Sequence, residues 1–305
     1  METGQTHVDG TQRPPPSISK LNRLARYHKR VTTNLLHQSP SDFTTPLLVV
    51  FAADTAARDA AAIPALLTTN AAILAAASPW LTSGDFKATL GETFPLPAPT
   101  GLKAQRLLLI GLGKANKLTP HELRKAAGVA VRFARPRSLR TLALALPEDP
   151  SLTAASAARA IAEGAILADF DIDFYRADRK DLSIESLTVL SSIPITDALQ
   201  TAFNEGLIVA ESQNFARTLI NEPGNILTPT ELGKRTAAMA KEFGLACEVH
   251  STDKLRELKM GAFLSVTQGS PEPPALIVLR YEPATPPPAN APSKPLNPTP
   301  LIAVP

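Results

Sequence analysis

The sequence predicts an α/β protein in which helices pack on a largely parallel or mixed sheet. Short, continuous apolar runs alternate with longer segments of helical character along most of the chain. Strands that are buried on both faces have such unbroken apolar runs, and their alternation with helices is typical of layered α/β domains. The length of 305 residues and the hydrophobic content of 44% are sufficient for roughly two domains with sizeable cores.

A first unit is predicted from three apolar runs. These strands are LLVVFAA at 47–53, RLLLIGLG at 106–113 and SLRTLALAL at 138–146. Helices are predicted between and after them at 56–77, with an interruption at Pro64, and at 120–134 and 153–168. This order of elements favours a sheet covered by helices.

A second α/β unit is predicted from residue 187 onward. The run TVLSSI is followed by a long helical stretch at 196–219 and a turn-rich segment at 221–225. The next helix has a clear start, because Thr228 is a suitable N-cap, Pro229 occupies the first helical position and Glu231 completes a capping box. Gly244 marks its end. The strand LACEVH, a short helix to Met260 and the segments AFLSVTQ and ALIVLRY follow.

Residues 1–46 are predicted to be a basic, proline-containing and disordered tail. They hold six Lys or Arg residues against three acids, whereas residues 47–305 hold 25 of each sign. The tail resembles a transit peptide or a phosphate-binding arm, but a solvated extension or a misassigned start is the favoured interpretation. Because the rest of the chain is neutral, the formal charge of +3 does not indicate a nucleic-acid partner.

The cysteine content and the hydropathy of the sequence bear on the cellular compartment and on membrane insertion. The single cysteine, Cys247, cannot form an internal disulfide, which favours a reducing compartment. No run of about 18 apolar residues is present, so no membrane span is predicted.

Two short patterns could bind ligands, but neither fits a known motif. Gly111-Leu112-Gly113-Lys114 ends a strand, yet Asn116 stands where a dinucleotide fingerprint needs its third glycine. A tight turn is therefore the favoured interpretation. Asp169, Asp171 and Asp173 alternate and could share one face of an extended segment, but an EF-hand loop would need glycine and glutamate where Phe174 and Lys180 stand. A solvated loop or strand edge is favoured.

The remaining reactive residues do not form a catalytic pattern. The five histidines include no pair at i, i+4; they are His7, His28, His37, His121 and His250. Alternation in LACEVH places Cys247 with Leu245 and Val249 on one strand face, which predicts a buried small hydrophobe instead of a nucleophile. Ser83-Gly84-Asp85 lacks the frame of a nucleophile elbow. Residue chemistry alone predicts no catalytic, cofactor-binding or metal-binding residue in this chain.

Two longer stretches resemble a known family. The combination of Asn221-x-Pro223-x-Asn225-x-Leu227-Thr228-Pro229 with Met260-Gly261-Ala262 and Gln268-Gly269-Ser270 closely resembles the leucyl aminopeptidase, or cytosol aminopeptidase, family. GDFKATLGET at 84–93 and LLLIGLGKANKLT at 107–119 look like the N-terminal domain of that family, which has a macro-like fold. The resemblance covers about residues 47–281.

The resemblance implies a domain arrangement and a chemistry. It implies a macro-like, three-layer N-terminal domain at 47–185 and the beginning of an incomplete α/β catalytic domain at 186–305. The family removes N-terminal amino acids from peptides with two divalent metal ions, manganese or zinc, which activate water and neutralise the developing oxyanion. Its ligands lie in motifs similar to Gly-Lys-Gly-x-x-x-Asp-Ser/Thr-Gly-Gly and Asn-Thr-Asp-Ala-Glu-Gly-Arg. Neither motif occurs in this sequence.

Three hypotheses follow from these observations. The first is a cytoplasmic metallo-aminopeptidase represented by a truncated or frameshifted product, which binds no metal and is inactive alone; the family acts on peptides and assembles as a homo-hexamer. The second is a stand-alone macro-like module for binding or oligomerisation. The third, a Rossmann oxidoreductase, rests only on the imperfect Gly111-Leu112-Gly113 loop. The first is the favoured hypothesis.

Overall fold

A computed structural model describes residues 31–57, 60–171, 175–178 and 180–282 of the chain. These residues divide into two compact units, one up to Thr218 and one from Leu219 onward. Each unit is described by itself below. Residues 1–30 of the predicted tail lie outside the described residues, as does the proline-rich stretch from residue 283.

The first unit is built on a mixed sheet of seven described strands. These are β1 (Thr32–His37), β2 (Leu48–Asp54), β3 (Pro64–Leu66), β4 (Thr93–Pro97), β5 (Arg106–Lys114), β6 (Thr141–Ala145) and β7 (Ser186–Ser191). The strand order is β1-β7-β6-β2-β5-β4, with β3 attached to β2. In this order, each pair of adjacent strands from β1 through β7, β6 and β2 to β5 is parallel. Strand β4 is antiparallel to β5, and β3 is antiparallel to β2. The largely parallel or mixed sheet predicted from the apolar runs is confirmed.

Four α-helices accompany this sheet in its described part, and each begins at a side-chain cap, which for the last of them is the Thr196 hydroxyl accepting from Leu199 N–H. They are α1 (Ala71–Thr82), α2 (Pro120–Ala134), α3 (Ala154–Ala168) and α4 (Asp197–Ile220). Asn70, Thr119 and Thr153 accept hydrogen bonds from backbone N–H groups in the first turns of α1, α2 and α3. Such caps satisfy donors that a helix leaves without an intrahelical partner.

The core lies on both faces of the central strands. All seven residues of β2 are buried. On one face, alternate residues of β2 and β5 form a cluster with Ile73 and Ala77 of α1. The intervening residues, such as Phe51 and Ile110, point to the opposite face and are also buried. This two-sided burial explains why the central strands have continuous apolar sequences.

Glycines allow three helices to approach one another closely. A Cβ at Gly164 of α3 would lie 2.0 Å from the carbonyl oxygen of Arg124 in α2. A Cβ at Gly206 of α4 would lie 2.5 Å from the carbonyl oxygen of Arg159 in α3. Both distances are far shorter than van der Waals contact, so these two crossings require glycine.

The second unit contains three helices and a two-stranded sheet in its described part. The elements are α5 (Pro229–Phe243), β8 (Ala246–His250), α6 (Thr252–Glu257), α7 (Gly261–Val266) and β9 (Leu276–Arg280). The predicted boundaries of α5 are confirmed, because the Thr228 side chain accepts a hydrogen bond from Glu231 N–H and Gly244 has a φ of +70°. Strands β8 and β9 pair in antiparallel fashion.

The structure differs from the sequence-based prediction at three places. Residues 31–46, assigned to the disordered tail, contain β1, which pairs with β7 along its whole length. The first unit extends to Thr218 instead of residue 185, because β7 lies between β1 and β6. The helix predicted over 56–77 is replaced by β3 and by a later helix, α1, that begins after the Asn70 cap.

Among the described residues, no helix is both long enough and apolar enough to cross a bilayer.

Candidate functional site

The carboxyl ends of β2 and β5 form the first candidate site. Open α/β sheets bind ligands outside the carboxyl ends of their strands, where the chain order reverses. Strand β2 is such a position, since β5 pairs on one side and β6 on the other. Here the Lys114 ammonium lies 2.8 Å from Oδ2 of Asp54, whose side chain is almost completely buried.

Asp54 is fully engaged by its surroundings. Its Oδ1 accepts hydrogen bonds from the N–H groups of Ala56 (2.9 Å) and Ile63 (3.0 Å). The hydrogen bond from Lys114 and these two backbone donors outweigh the effect of burial and lower the pKa of Asp54 to about 2. The Asp54 carboxylate therefore links Ala56 to Ile63 through one oxygen and β2 to Lys114 of β5 through the other.

Glu148 is a second carboxylate held at the same edge of the sheet. It follows β6 and accepts hydrogen bonds from Thr69 N–H (2.9 Å) and from the Ser192 hydroxyl (2.7 Å). Burial opposes its ionisation, but these hydrogen bonds outweigh burial and lower the pKa of Glu148. Asp54, Glu148 and Lys114 together place one net negative charge at this edge, which does not attract a phosphate group.

The glycine loop that ends β5 is a packing feature. A Cβ at Gly111 would lie 2.1 Å from the carbonyl oxygen of Thr89, and Gly113 has a φ of +82°. The N–H of Gly111 donates to the carbonyl oxygen of Glu92, and the N–H of Gly113 donates to that of Ala88. These donors are not available to cradle a phosphate, so the structure supports the tight-turn interpretation and removes the basis of the oxidoreductase hypothesis.

Asp169 lies in a buried position, which differs from the predicted solvated loop. It follows α3, and its Oδ1 accepts a hydrogen bond from Ile184 N–H at 2.9 Å. Burial raises the pKa of Asp169 to about 6; the Ile184 hydrogen bond and the Arg135 charge oppose this rise, whereas Asp181 and Asp171 add to it. Asp173, the third member of the predicted acidic group, lies outside the described residues.

The histidines and the Ser83 segment are dispersed. His37 lies at the end of β1, and His121 is in the first turn of α2, beside Arg124. His7 and His28 lie outside the described residues. The Ser83 hydroxyl donates to the carbonyl oxygen of Trp80 and accepts from Asp85 N–H, so it shapes the turn after α1.

In the second unit, a charged triad holds the turn-rich segment. Arg235 of α5 lies 3.0 Å from Oε1 of Glu222 and 2.8 Å from Oε1 of Glu231. The Glu222 side chain is almost completely buried. Burial opposes the charge of Arg235, but Glu231 and Glu222 outweigh it and raise the pKa of the guanidinium. The triad attaches the 221–225 segment to α5.

The face of β8 that was predicted to be buried is only partly covered. Cys247 is half-buried and Val249 is exposed. On the other face of the same strand, Nε2 of His250 lies 3.6 Å from Oε2 of Glu248. A cavity of about 380 Å³ lies beside this strand and is lined by α5, by 249–252 and by 273–275.

A dimetal centre needs several carboxylate, imidazole or similar ligands within one cluster. No group of three or more His, Cys, Asp or Glu side chains that could hold a metal occurs within the described ranges. The buried carboxylates there are already engaged: Asp54 by Lys114, Glu222 by Arg235 and Asp169 by the Ile184 N–H.

Sequence reasoning missed the two ion-pair clusters for different reasons. Asp54 and Lys114 are 60 residues apart and meet only through the β2–β5 pairing. The Glu231–Arg235 half of the triad was accessible, because oppositely charged residues at i, i+4 are neighbours on a helix. Its Glu222 half depends on the fold of the segment before α5.

Comparisons with known proteins match both units. Residues 48–179 match the model of the cytosol aminopeptidase family N-terminal domain, and residues 214–293 match that of the catalytic domain of the same family. A probable cytosol aminopeptidase of Acidobacterium capsulatum is 51% identical over 259 residues, covering 82% of this chain and 51% of the relative. One from Koribacter versatilis is 44% identical over 263 residues, covering 80% and 51%.

Solved structures show the same similarity. The bottromycin maturation enzyme BotP, in complex with Mn, superposes with a TM-score of 0.61 at 30% identity, over 79% of this chain and 46% of its own. A mutant of tomato leucine aminopeptidase superposes with a TM-score of 0.69 at 23% identity, over 85% and 53%, which supports the α/β fold alone. The chain spans about half the length of the curated relatives it matches. On both domain matches, in this order, the chain belongs to the cytosol aminopeptidase family.

Proposed function

We propose that the chain forms the N-terminal domain and the first part of the catalytic domain of a metal-dependent leucyl aminopeptidase, which releases N-terminal amino acids from peptides. The observation that carries this proposal is the succession of the two family matches, at 48–179 and 214–293. The 51% identity to a probable cytosol aminopeptidase supports the same substrate class. The name of that relative also supports a cytosolic location, and the homo-hexameric assembly is proposed only because membership of the family implies it.

We also propose that these 305 residues alone do not hydrolyse peptides. The lysine, aspartate and glutamate motifs to which the resemblance assigns metal binding do not occur in the sequence. The carboxylates that the structure buries are engaged by Lys114, by Arg235 and by a backbone N–H group. No catalytic step is therefore assigned to a residue of this chain.

Peptidase assays test this proposal. The purified chain is incubated with leucine p-nitroanilide and Mn²⁺, in parallel with the full-length Acidobacterium capsulatum relative. We expect chelator-sensitive release of p-nitroaniline from the relative and background release from the chain. Robust turnover by the chain that a chelator removes would overturn the assignment of inactivity. An inactive relative would contradict the proposed substrate class.

A further inference from the structure

Helix α1 of the first unit belongs to a segment without charged side chains. The 25 residues at 60–84 contain no Asp, Glu, Lys or Arg, whereas charged residues make up 19% of the whole sequence. A helix at the surface of a globular protein ordinarily has charged or polar side chains on its outer side, and a helix that is apolar all round is ordinarily buried. The composition of α1 is therefore that of a helix covered on both sides.

The first unit covers only one side of α1. Ile73 and Ala77 are completely buried and belong to the cluster on the sheet. Four residues at spacings of three and four share the other side and are all exposed; they are Ala71, Leu74, Ala75 and Ser78, here named the outer face of α1. An exposed apolar surface on a helix of this composition marks an interaction site.

The outer face is suited to close packing against another helix. Leu74 projects between the small side chains of Ala71 and Ala75, which allow a second backbone to approach. The Thr82 hydroxyl, one turn beyond Ser78, already donates to the Ser78 carbonyl oxygen at 3.3 Å and so does not require water. The face thus offers apolar contact with few polar groups to desolvate.

The absence of charge indicates what kind of partner fits. A two-fold contact brings the same patch of two copies together, so any charge on the patch would face its own copy and repel it. A patch without charge avoids this repulsion, whereas it provides no attraction for a charged peptide or a nucleic acid. We propose that the outer face of α1 packs against the same face of a second copy of this chain. The inference deepens the proposed homo-oligomeric assembly by naming a contact surface, and in that respect it rests on the proposed function.

The size of the outer face predicts weak association. Helix α1 has 12 residues and is therefore about 18 Å long. The crossing of two such helices buries less than the roughly 800 Å² per partner that is usual in stable complexes. We therefore expect a concentration-dependent dimer with a dissociation constant on the order of 10–100 µM.

Sedimentation velocity of the 305-residue chain, from about 1 to 300 µM, tests the inference. The wild type should pass from monomer to dimer over this range. Leu74→Glu should raise the dissociation constant at least tenfold, because two carboxylates would then face each other in an apolar contact. Val209→Glu in α4 is the matched control and should leave association unchanged, since Val209 is 39% exposed and Leu74 is 37% exposed. Circular dichroism of each variant confirms that its helices are retained.

A charge-pair experiment distinguishes a second copy from every other contact. Leu74→Lys alone should also remain monomeric. An equimolar mixture of the Leu74→Glu and Leu74→Lys chains should regain association, because opposite charges then meet across the two-fold axis. A mixture that stays monomeric would show that the two Leu74 side chains do not meet in this way and would overturn the inference.

Three further results would decide against the α1 contact. A wild-type monomer at every concentration overturns it, as does a dimer that tolerates Leu74→Glu. An equal loss of association in Val209→Glu would attribute the effect to added charge in general. Chelator-sensitive activity of the full-length Acidobacterium capsulatum relative is measured separately, so an inactive relative contradicts the proposed function and leaves the contact standing.

Discussion

Two buried carboxylates illustrate how position decides the sign of an ionisable group's contribution to stability. Asp54 meets a lysine and two backbone donors, which lower its pKa to about 2. Asp169 meets one backbone donor and one arginine at 3.9 Å, follows the C-terminus of α3 and lies near two other acids. Because burial and the neighbouring acids raise the pKa of Asp169 to about 6, ionised Asp169 is destabilising where ionised Asp54 is stabilising.

We expect Asp169→Asn to stabilise the protein at neutral pH. The folded-state pKa of Asp169 is raised from 3.8 to about 6, so its contribution to stability is present below pH 4 and is lost as the pH rises to about 6. Asparagine mimics the neutral acid and can still accept the Ile184 hydrogen bond. Urea unfolding from pH 4 to 8 should show a gain that grows with pH and levels off near about 3 kcal/mol. A variant less stable than the wild type at pH 7.5 would contradict this.

Asp54→Asn should have the opposite effect. The carboxylate of Asp54 contributes stability above pH 4, and this contribution is lost as the pH falls towards about 2. Its replacement should lower the free energy of unfolding by about 2 kcal/mol at pH 7, the scale of a hydrogen bond to a charged group. Asp42→Asn removes the same charge from an exposed pair, with Lys103 at 3.8 Å, and should change stability by less than about 0.5 kcal/mol. Equal losses in the two variants would refute the argument.

At the scale of elements, the crossing of α2 and α3 depends on one glycine. In Gly164→Ala the new Cβ would lie 2.0 Å from a backbone oxygen of α2, so the helices must separate. We expect a loss of about 3 kcal/mol in thermal or urea unfolding. Gly128→Ala is the matched control in the same interface, where a Cβ would lie 3.3 Å from both an Arg132 side-chain nitrogen and the Gly164 carbonyl oxygen, so that a shift of a few tenths of an ångström accommodates it. The higher helix propensity of alanine offsets the closer contact in Gly128→Ala, so its stability should change little. Similar losses of stability in both variants would show that the helix crossing is not the cause of the loss in Gly164→Ala.

The elements that were predictable are those with local signals. Strands β2, β5 and β6 have continuous apolar sequences, and α5 has a cap, an N-terminal proline and a terminal glycine. The missed strands β1, β3 and β4 are short or contain polar residues and prolines, such as Pro95 and Pro97 in the edge strand β4. Such strands exist because a neighbour supplies their hydrogen bonds, which no local pattern records.

Only those features of the candidate site that depend on residues adjacent in the sequence could be predicted from the sequence. The turn at Gly111 could be predicted from the residues beside it in the sequence. The requirement for glycine at this position follows from the close approach of the Thr89 backbone, which only the fold shows. Likewise, the hydrogen bond that Asp169 accepts comes from Ile184, which lies 15 residues away. The family motifs around Asn221 and Gln268 identified the second unit because they span many residues, but the Glu222–Arg235 contact requires the fold.

At the scale of the whole molecule, the two units differ in their cores. The first unit has a buried central sheet with cover on both faces. Between residues 219 and 282, the buried apolar side chains are Ala240, Leu255 and Leu276. Other apolar side chains remain exposed there, including Val266 at 68% and Ile220 at 79%. Because stability against local opening follows buried apolar contact, the second unit should open far more readily.

Limited proteolysis tests this difference. We expect brief digestion to leave a persistent fragment that retains both β1 and α4 up to Arg217, because these elements belong to the first unit. Cleavage should concentrate after residue 220. Leu255→Ala, which empties a fully buried position, should speed loss of the second unit without changing that fragment, whereas Leu258→Ala at an exposed position should not. Mass spectrometry identifies the ends. Persistence of an undigested chain, or a fragment that lacks β1, would show that the cores do not set the order of cleavage.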